Sequence, residues 1–307
     1  MSRASETACP GCGSGALLIG PIPGSNSFAG RQLDTVLPGG KLWRCSACNL
    51  VFRYPRLAKK SLDELYREGH SDSWPEPAGN RADWRIVKKI LDEHPNLTRV
   101  LDVGCFDGRL LDSLGSQYEK LGIEIHEEAA RRAEMRSVKV IGRDFDKLPV
   151  VQGGVDAVLA MDVIEHTEDP MAFLAKLAEI VKPGGLILIG TGNYHALTWR
   201  LMGSAYWYCH IAEHISFINP RWVDYTAREL GLDKVALHSF SHGGGHVRQR
   251  AREAALNIFY RMAPTLFARF RQLGAGHIDV TRFPELNKVP PYWLTATDHL
   301  LILFRKI

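Results

Sequence analysis

Hydrophobic and polar positions follow two different periods through the middle of this chain, and their alternation predicts an α/β fold. Short runs of apolar, β-branched residues are typical of buried strands, whereas apolar residues three or four positions apart are typical of amphipathic helices. Seven segments fit the strand pattern, at 99–103, 120–125, 138–144, 155–166 with its polar tip, 186–189, 234–240 and 299–306. Helical patterns separate them, as in α/β domains.

The helix signals include one well-defined start and one stop. Apolar residues at helical spacing occupy 80–93, 170–181 and 221–230. Asp169 and Pro170 predict a helix start, because aspartate accepts hydrogen bonds from free N–H groups and proline is favoured at the first helical position. The KPGG segment at 182–185 is expected to end that helix.

A glycine turn lies between the first predicted strand and a helical pattern that begins at Arg109. Gly104 and Gly108 bracket the turn and allow the backbone to approach a ligand closely. The N–H groups at the start of the following helix favour a nucleotide-like ligand. Such a glycine pattern is a weak signal alone, so its meaning depends on the residues that follow.

Acidic residues end the next strands, where open α/β sheets place their ligands. Glu124 follows the turn by about twenty residues, the position from which a carboxylate accepts both hydroxyl hydrogens of a ribose. Asp144 ends the third strand, and Met161 and Asp162 lie at the end of the fourth. The pattern therefore indicates a nucleotide site along the carboxyl edge of the sheet.

Five ordered motifs, LDVGCFDG, GIEI, RDFD, DAVLAMDVIEH and VKPGG, resemble those of the Rossmann-like S-adenosylmethionine-dependent methyltransferases over roughly residues 80–240. The resemblance implies a seven-stranded sheet whose last strand, at 299–306, is antiparallel. It also implies that S-adenosylmethionine is the methyl donor. The family usually has glycine where this turn has Phe106, a difference expected to narrow the pocket or tilt the ligand.

The cofactor-binding residues implied by this resemblance lie at the carboxyl ends of the first four strands. They are Asp102, Gly104, Cys105, Phe106, Gly108, Glu124, Ile125, Asp144, Phe145, Met161 and Asp162. We expect Glu124 to bind the ribose and Asp144 to accept from the adenine amino group. Asp102 is expected to hold the turn or to meet the cofactor's amino group through water. Cys105 is interpreted as a small residue that fills the turn.

Four cysteines near the N-terminus form two CxxC pairs, Cys9 with Cys12 and Cys45 with Cys48. Four thiolates in two close pairs form a tetrahedral set that suits zinc. Two disulfides or four unliganded thiols are the alternatives. Since four sulfurs complete the coordination shell and leave no position for a substrate, the expected role of the zinc is structural.

The cysteine pairs, the LVFRYPR segment at 50–56 and a predicted helix at 60–67 resemble a subgroup of methyltransferases with an N-terminal zinc ribbon. Many members of this subgroup act on sugars or other small metabolites. The expected divisions are a zinc ribbon, lid or linker helices, the methyltransferase core, a helical insertion and the last core strand, at 1–58, 59–95, 96–240, 241–297 and 298–307. Tyr66 and Trp74 are candidate lid residues.

Histidine and aromatic residues are dense after the fifth strand, between 193 and 217. Methyl transfer to a hydroxyl requires alignment of the acceptor and removal of its proton, and histidine suits the second task. His214 is the first candidate for this base, followed by His210 and His166. The alternative is that His214 and His166 only fix their loops. The aromatic residues are expected to form an acceptor-binding wall.

The insertion contains an arginine-rich, amphipathic stretch at 247–273, interrupted at Pro264. Helices packed on the core with exposed arginines are the first interpretation. The alternatives are contact with an anionic membrane or a lipid-linked glycan, a dimer contact, and a cover over the active site. His242 and His246, near its start, are a weaker candidate for a metal pair.

Composition restricts the partners and the location. The net charge of +4 is a weak basic excess that does not indicate a nucleic-acid partner. The sequence has no run of about eighteen apolar residues. Its first six residues lack an apolar signal core. These observations favour a cytoplasmic location, with the inner membrane face as an alternative.

The predicted function is O-methylation of a sugar or glycan intermediate, a small-molecule or glycan acceptor. C-methylation of a nucleotide-linked sugar or other small metabolite is the second interpretation. RNA methylation is the third, and the mild charge counts against it. A non-catalytic binding module is the remaining alternative, supported only by Phe106.

Overall fold

A computed structural model describes residues 7–29, 31–57, 61, 65, 81–145, 151, 153–243, 245–272 and 289–307. Tyr66, Trp74 and most of the predicted helix at 60–67 lie outside these described residues. The strands in chain order are β1 (Ala16–Ile22), β2 (Ser25–Phe28), β3 (Arg31–Leu37), β4 (Gly40–Cys45), β5 (Val51–Tyr54), β6 (Arg99–Val103), β7 (Glu119–Ile123), β8 (Lys139–Gly142), β9 (Val155–Met161), β10 (Val181–Gly192), β11 (Ser216–Phe217), β12 (Leu232–Phe240) and β13 (His299–Lys306). The helices are α1 (Ala82–Asp92), α2 (Arg109–Asp112), α3 (Glu127–Met135), α4 (Pro170–Ile180), α5 (Leu197–Met202), α6 (Pro220–Glu229), α7 (Val247–Met262) and α8 (Pro264–Gln272).

A seven-stranded sheet forms the centre of the molecule, in the order β8-β7-β6-β9-β10-β13-β12. The first five strands of this order pair in parallel, and β13 is antiparallel to both β10 and β12. The predicted fold, including its antiparallel last strand, is confirmed. The chain order reverses between β6 and β9, and open α/β sheets bind ligands at such a point.

Helices bury both faces of this sheet, which explains why its strands are continuously apolar. Leu101 and Val158 pack on one face with residues of α4 and α6. Val100 and Leu188 pack on the opposite face with residues of α1. The helix α4 begins where predicted, and the Asp169 carboxylate accepts from the N–H groups of Met171 and Ala172.

Several strand boundaries differ from the sequence pattern, most clearly those of β10 and β8. β10 begins at Val181 and runs to Gly192, so the KPGG segment lies inside a strand. The register with β9 jumps from Val181 to Leu186 across this segment, which is consistent with a bulge. The apolar run at 186–189, from which the strand was predicted, does not reveal it. β8 is shorter than predicted and ends at Gly142, so Asp144 lies beyond the strand.

A small four-stranded sheet, β1-β4-β5-β11, joins the N-terminal cysteine region to the core. Three of its strands come from the first 54 residues. The fourth, β11, comes from the histidine-rich segment and pairs antiparallel with β5. We call residues 7–57 the cysteine module. The backbone of the module and that of the core therefore share one hydrogen-bonded sheet.

The described part of the insertion consists of α7 and α8, which pack on the core through Tyr260 and Phe267 in a cluster that includes Trp199. Five of its arginines are exposed: Arg248, Arg250, Arg252, Arg261 and Arg269. Arg271 is buried and donates to the carbonyl oxygen of Val289. Across the described ranges, every helix is too short or too polar to cross a bilayer.

Candidate active site

The turn after β6 has a backbone that requires glycine at both ends. Gly104 has φ +76°, and a Cβ there would lie 2.8 Å from Val163 Cγ2. Gly108 has φ +79°, and a Cβ there would lie 2.9 Å from Ala133 Cα, a backbone atom. Both φ values are rare for residues that carry a side chain. The two predicted glycines therefore set the shape of the turn.

Phe106 occupies a third left-handed position of the same turn, with φ +48°. Glycine adopts this conformation without steric cost, which accounts for its use here in similar proteins. The Phe106 N–H donates to Glu124 Oε2 at 2.8 Å. Its ring lies under the guanidinium of Arg132, 5.8 Å from the ring centroid. The turn keeps its hydrogen-bonded shape with phenylalanine in place.

Glu124 is only 4% exposed, and its carboxylate is held by two backbone N–H groups. Oε2 accepts from Phe106, and Oε1 accepts from His126 at 2.8 Å. Burial raises the pKa of Glu124, and the hydrogen bonds from His126 and Phe106 oppose that rise. The acid is thus fixed directly beside the glycine turn, at the end of β7, as the sequence predicts.

Asp102 is also buried beside the turn, and its Oδ1 has no hydrogen-bond partner among the described residues. Burial raises the pKa of Asp102 well above its ordinary value, and the charges of Glu124 and Asp83 add to the rise. A buried polar oxygen without a partner is costly in a folded protein. A ligand donor placed at this oxygen would remove the cost, which fits an amino group of the cofactor.

The remaining predicted cofactor residues surround this turn less closely. Cys105 is buried, and its Sγ fills the space above Gly122, where a Cβ would approach to 2.5 Å. Ile125 is 53% exposed. The Phe145 ring, next to Asp144 in the segment that follows β8, packs 5.1 Å from that of Phe173.

Asp162 closes the far side of the site, at the end of β9. It has φ +56°, and its carboxylate accepts from Arg81, which also binds the buried Asp83. Burial alone would raise the pKa of Asp162, but the charge of Arg81 and, after it, that of His242 hold the pKa below the ordinary range. The carboxylate is therefore ionised.

A buried carboxyl group, Glu165, lies in the short 3₁₀ turn that follows β9. It is 0% exposed and accepts from the hydroxyls of Tyr208 and Thr191. Burial and the neighbouring charge of Asp162 raise its pKa to about 7. Glu165 was not among the predicted site residues, although it stands next to His166 in the sequence.

Two of the three predicted histidines meet beside Glu165. The rings of His166 and His214 lie 5.0 Å apart. His214 Nδ1 lies 3.2 Å from the Tyr208 carbonyl oxygen, and because a carbonyl only accepts, this nitrogen carries the proton and Nε2 carries the lone pair. Burial, followed by His166, lowers the pKa of His214 well below its ordinary value. His214 is therefore neutral and able to accept a proton.

The remaining candidate for the base, His210, has different surroundings. Its pKa is lowered to about 3 by burial and then by Arg53, and the backbone of Ser204 opposes the change. The charge of Asp162 acts on His166 and His214. The structure therefore brings His214 and His166 together and places His210 beside Arg53.

The expectation of an aromatic wall around the acceptor was wrong for most of its members. Trp199, Tyr206 and Phe217 are at most 1% exposed and pack against one another in the core. Trp199 has ring contacts with four neighbours, Tyr194, Tyr206, Tyr208 and Phe217. Aromatic residues serve cores as readily as binding sites, so their density in the sequence could not distinguish the two roles.

The four cysteines of the two CxxC pairs converge in the cysteine module. Cys9 Sγ lies 3.6 Å from Cys48 Sγ, and Cys12 Sγ lies 3.4 Å from Cys45 Sγ. These distances exclude disulfides, whose sulfurs are about 2 Å apart. All four sulfurs lie within 4.8 Å of one another, the spacing expected of a tetrahedral zinc site with bonds of about 2.3 Å.

Two further groups hold ligand-type atoms within 4.8 Å of one another: Asp162 with His242 and His299, and Glu165 with His166 and His214. The Asp162 carboxylate is already paired with Arg81, and both Glu165 oxygens accept hydrogen bonds. We therefore treat both groups as hydrogen-bonded polar clusters. His242 belongs to the first of them, without His246.

Arg81 and His299 were not predicted from the sequence, and Tyr208 was expected only as a member of the aromatic wall. Tyr208 lies inside the aromatic-rich segment, where nothing separates it from the core residues around it. His299 is the first residue of β13, which places it beside Gly192 of β10. Burial alone would lower the pKa of His299, but the adjacent Asp298 raises it above its ordinary value. Its position at a strand start was the signal available for finding it.

Comparison with known proteins identifies the family. The family described as "Methyltransferase domain" matches residues 78–237, slightly more than half of the chain. A "Ubiquinone biosynthesis O-methyltransferase" from Thiobacillus denitrificans is 30% identical over 158 residues, which cover 47% of this chain and 68% of the relative. The protein of the same name from Chromobacterium violaceum is 28% identical over 159 residues, with the same two coverages.

Solved structures of similar architecture include an S-adenosylmethionine-dependent methyltransferase from Archaeoglobus fulgidus, with 18% identity, a TM-score of 0.45, and coverage of 81% of this chain and 100% of that one. Another, from Mesorhizobium loti, has 15% identity, a TM-score of 0.45, and coverages of 73% and 98%. With the seven-stranded sheet and the glycine turn in place, the match over 78–237 shows that this chain belongs to the S-adenosylmethionine-dependent methyltransferases.

Proposed function

We propose that this methyltransferase transfers a methyl group to the hydroxyl oxygen of a small molecule, with His214 as the base. The observation that carries this proposal is the contact of the buried His214 with the half-buried His166 at the carboxyl end of β9, on the side of the sheet where the glycine turn lies. A neutral imidazole held by its Nδ1–H presents Nε2 for the hydroxyl proton.

The residues of the turn fit S-adenosylmethionine. Gly104 and Gly108 let the backbone approach the cofactor, Glu124 is placed for the ribose hydroxyls, and Asp102 Oδ1 is placed for the amino group. We assign Asp144 and Phe145 to the adenine. When bound, the cofactor supplies a methyl group already activated on a sulfonium, so the protein has to align the acceptor and remove its proton.

The polar groups around His214 support a base of this kind. Glu165 holds Tyr208, and the Tyr208 carbonyl in turn fixes the orientation of His214. The charge of Asp162 opposes the effect of burial on both histidines, so it stabilises the protonated form after the proton has moved. In this proposal the hydroxyl proton would pass to His214 Nε2 while the acceptor oxygen bonds to the methyl carbon, and the carbon–sulfur bond of the sulfonium would break to leave a neutral thioether.

A ring hydroxyl is the first candidate acceptor. The relatives that match the core are named for O-methylation in ubiquinone biosynthesis. A base with a lowered pKa also removes a proton more readily from an acidic hydroxyl, and phenols, with a pKa of about 10, are far stronger acids than sugar alcohols. A sugar or glycan hydroxyl is the second candidate, favoured by the resemblance of the cysteine module to ribbons of sugar-modifying methyltransferases.

We also propose that Cys9, Cys12, Cys45 and Cys48 hold one structural zinc ion. The convergence of four sulfurs at zinc-like spacing supports this. The N–H groups of Ala47 and Cys48 both point at Cys45 Sγ, 3.4 Å away. Backbone donors of this kind stabilise a thiolate ligand.

The test supplies S-adenosylmethionine with a labelled methyl group to purified protein together with separate fractions: catechol-type ring compounds, nucleotide sugars, glycolipids, RNA and protein. We expect label on oxygen in the ring-compound fraction, lost in His214→Gln and kept in His238→Gln, a matched exposed histidine on β12. Label on a sugar oxygen would favour the second acceptor. Label in RNA or protein, on carbon, or in no fraction would contradict methyl transfer to the hydroxyl oxygen of a small molecule.

A further inference from the structure

A buried arginine of the cysteine module reaches into the loop that carries the histidines. Arg53, in β5, is 5% exposed. Its guanidinium donates to the carbonyl oxygen of Cys209 and, at 3.1 Å, to that of Ile211. These partners are more than 150 residues away in the chain. Burial of a guanidinium costs free energy unless hydrogen bonds compensate the loss of water. These two hydrogen bonds therefore indicate that Arg53 has a role in holding the loop.

At its far end, the loop that Arg53 holds is fixed by main-chain hydrogen bonds. The Arg53 N–H donates to the carbonyl oxygen of Ile215, next to the pairing of β5 with β11. The Ile215 N–H donates to the carbonyl oxygen of Glu165. His214 therefore lies between a backbone anchor at Ile215 and the carbonyl groups that Arg53 binds. Arg53 secures the near end together with the Tyr208 hydroxyl, which donates to Glu165.

The acidic neighbour Glu213 ties the turn after β2 of the module to the same loop. Its Oε1 accepts from the N–H of Ala29 at 2.9 Å, and its own carbonyl oxygen faces His166 Nδ1 at 3.2 Å. Arg53 and Glu213 are both buried, and their charges attract. The cysteine module thus contacts loop residues on both sides of His214.

We propose that Arg53 is a positioning residue for methyl transfer, which joins the cysteine module to the loop 206–215 and holds the imidazole of His214 in place. The proposal rests on the proposed function of His214. It extends that function by giving the N-terminal module a part in turnover, beyond its own stability. Arg53 contacts the loop backbone, so it acts through His214 and does not meet the substrate.

The charge of Arg53 has a separate effect on His214. The groups that act on this imidazole come from each neighbouring element: Glu165 and His166 from the 3₁₀ turn, Asp162 from β9, Tyr208 from its own loop, and Arg53 from β5. Burial and His166 lower the pKa of His214, and Arg53 lowers it further, while Asp162 raises it. Loss of the arginine charge should therefore raise the pKa of His214.

The experiment compares Arg53→Met, which removes the charge and the hydrogen bonds, with Arg53→Lys, which keeps the charge but replaces the guanidinium, whose Nη2 makes both bonds, with an ammonium of different reach. Arg44→Met is the matched control, because Arg44 is exposed on the neighbouring strand β4. Each full-length variant is measured for S-adenosylmethionine affinity by calorimetry, for turnover on the labelled acceptor, and for the imidazole pKa of His214 by NMR. The His214→Gln spectrum assigns the resonance.

We expect turnover to fall by about ten- to hundredfold in Arg53→Met, the loss expected for charged hydrogen bonds, with cofactor affinity unchanged. The pKa of His214 should rise in Arg53→Met and stay low in Arg53→Lys, whose turnover is intermediate. If Arg53→Met does not fold, a lower turnover of Arg53→Lys at unchanged cofactor affinity supports the proposal, and wild-type turnover of Arg53→Lys contradicts it.

Wild-type turnover and an unchanged His214 pKa in folded Arg53→Met would overturn the proposal. So would a loss of turnover matched by an equal loss of cofactor affinity. Full activity of His214→Gln would instead overturn the proposed base. The NMR measurement would still report whether Arg53 acts on the loop, so the two failures are distinguishable.

Discussion

The two halves of the site are built in opposite ways. The centre of the cofactor half is a backbone turn with Glu124 and Asp102, all within one β-α-β stretch, in which main-chain N–H groups hold Glu124. The acceptor half combines Asp162, Glu165 and His214 with contacts from Arg81 and Arg53, which are distant in sequence. One half depends on local conformation, and the other depends on the packing of the whole molecule.

This difference teaches that the two halves should fail independently. A change in the turn alters cofactor affinity, because the shape of the turn is set within residues 99–126. A change in the cysteine module or the loop 206–215 should alter turnover and stability and leave cofactor affinity intact.

Replacement of Glu124 should cause the largest loss of cofactor affinity. In Glu124→Gln the charged acceptor of the ribose hydroxyls is lost, and one of the two backbone N–H groups at Phe106 and His126 loses its carboxylate partner. Affinity for S-adenosylmethionine should fall about a hundredfold by calorimetry. The control Glu128→Gln, an exposed glutamate on α3, should bind normally. Unchanged affinity in Glu124→Gln would remove the ribose role.

Loss of one cysteine should affect the other half. Cys45→Ser, or treatment with a chelator, should release one zinc per chain and lower the free energy of unfolding by several kcal/mol, because metal binding contributes directly to folding. Metal analysis and calorimetric unfolding measure the two effects, and Ala47→Ser, exposed in the same knuckle, is the control. Wild-type protein that is fully folded and free of metal would contradict the zinc site.

The pH dependence of stability should report Glu165. Because its pKa is raised from 4.5 to about 7 in the folded state, the folded protein binds more protons than the unfolded chain between these values, and stability falls as pH rises through them. Glu165→Gln should remove up to about 3 kcal/mol of this dependence, measured by urea unfolding at pH 5 and pH 8. Equal pH dependence in both proteins would show that the carboxyl group is not buried as described.

The turn offers the smallest effects. Phe106→Gly relieves a left-handed φ but loses the contact with Arg132 and adds freedom to the unfolded chain, so stability should change by less than about 1 kcal/mol. Gly108→Ala introduces a Cβ 2.9 Å from Ala133 Cα and should destabilise by about 1–3 kcal/mol in denaturant unfolding. A reversed order of the two variants would contradict the described turn.

Sequence patterns predicted the local half well. The strand ends, Gly104, Gly108 and Glu124 are fixed by turn chemistry and strand period, which operate over a few residues. The bulge at 182–185 was not predicted, because its KPGG residues also suit a helix end. The acceptor half was predicted only in part, since His214 stands out by residue type, whereas Arg53 and Tyr208 acquire their roles through contacts across 40 to 160 residues.

The aromatic segment illustrates the limit most clearly. Trp199 and Tyr206 carry the same chemistry whether they face a ligand or the core, and no local pattern separates the two. Their burial follows from α7 and α8, whose Tyr260 and Phe267 join the same cluster. A prediction made from density alone could not include packing by an insertion that lies fifty residues further along the chain.

The most direct test of the account is the separation of binding from turnover in His214→Gln. Cofactor affinity by calorimetry should stay within about twofold of wild type, and turnover on the labelled acceptor should fall by about a hundredfold or more, the contribution typical of a general base. His238→Gln should match wild type in both measurements. Normal turnover in His214→Gln would contradict the central claim that the histidine loop performs the proton transfer.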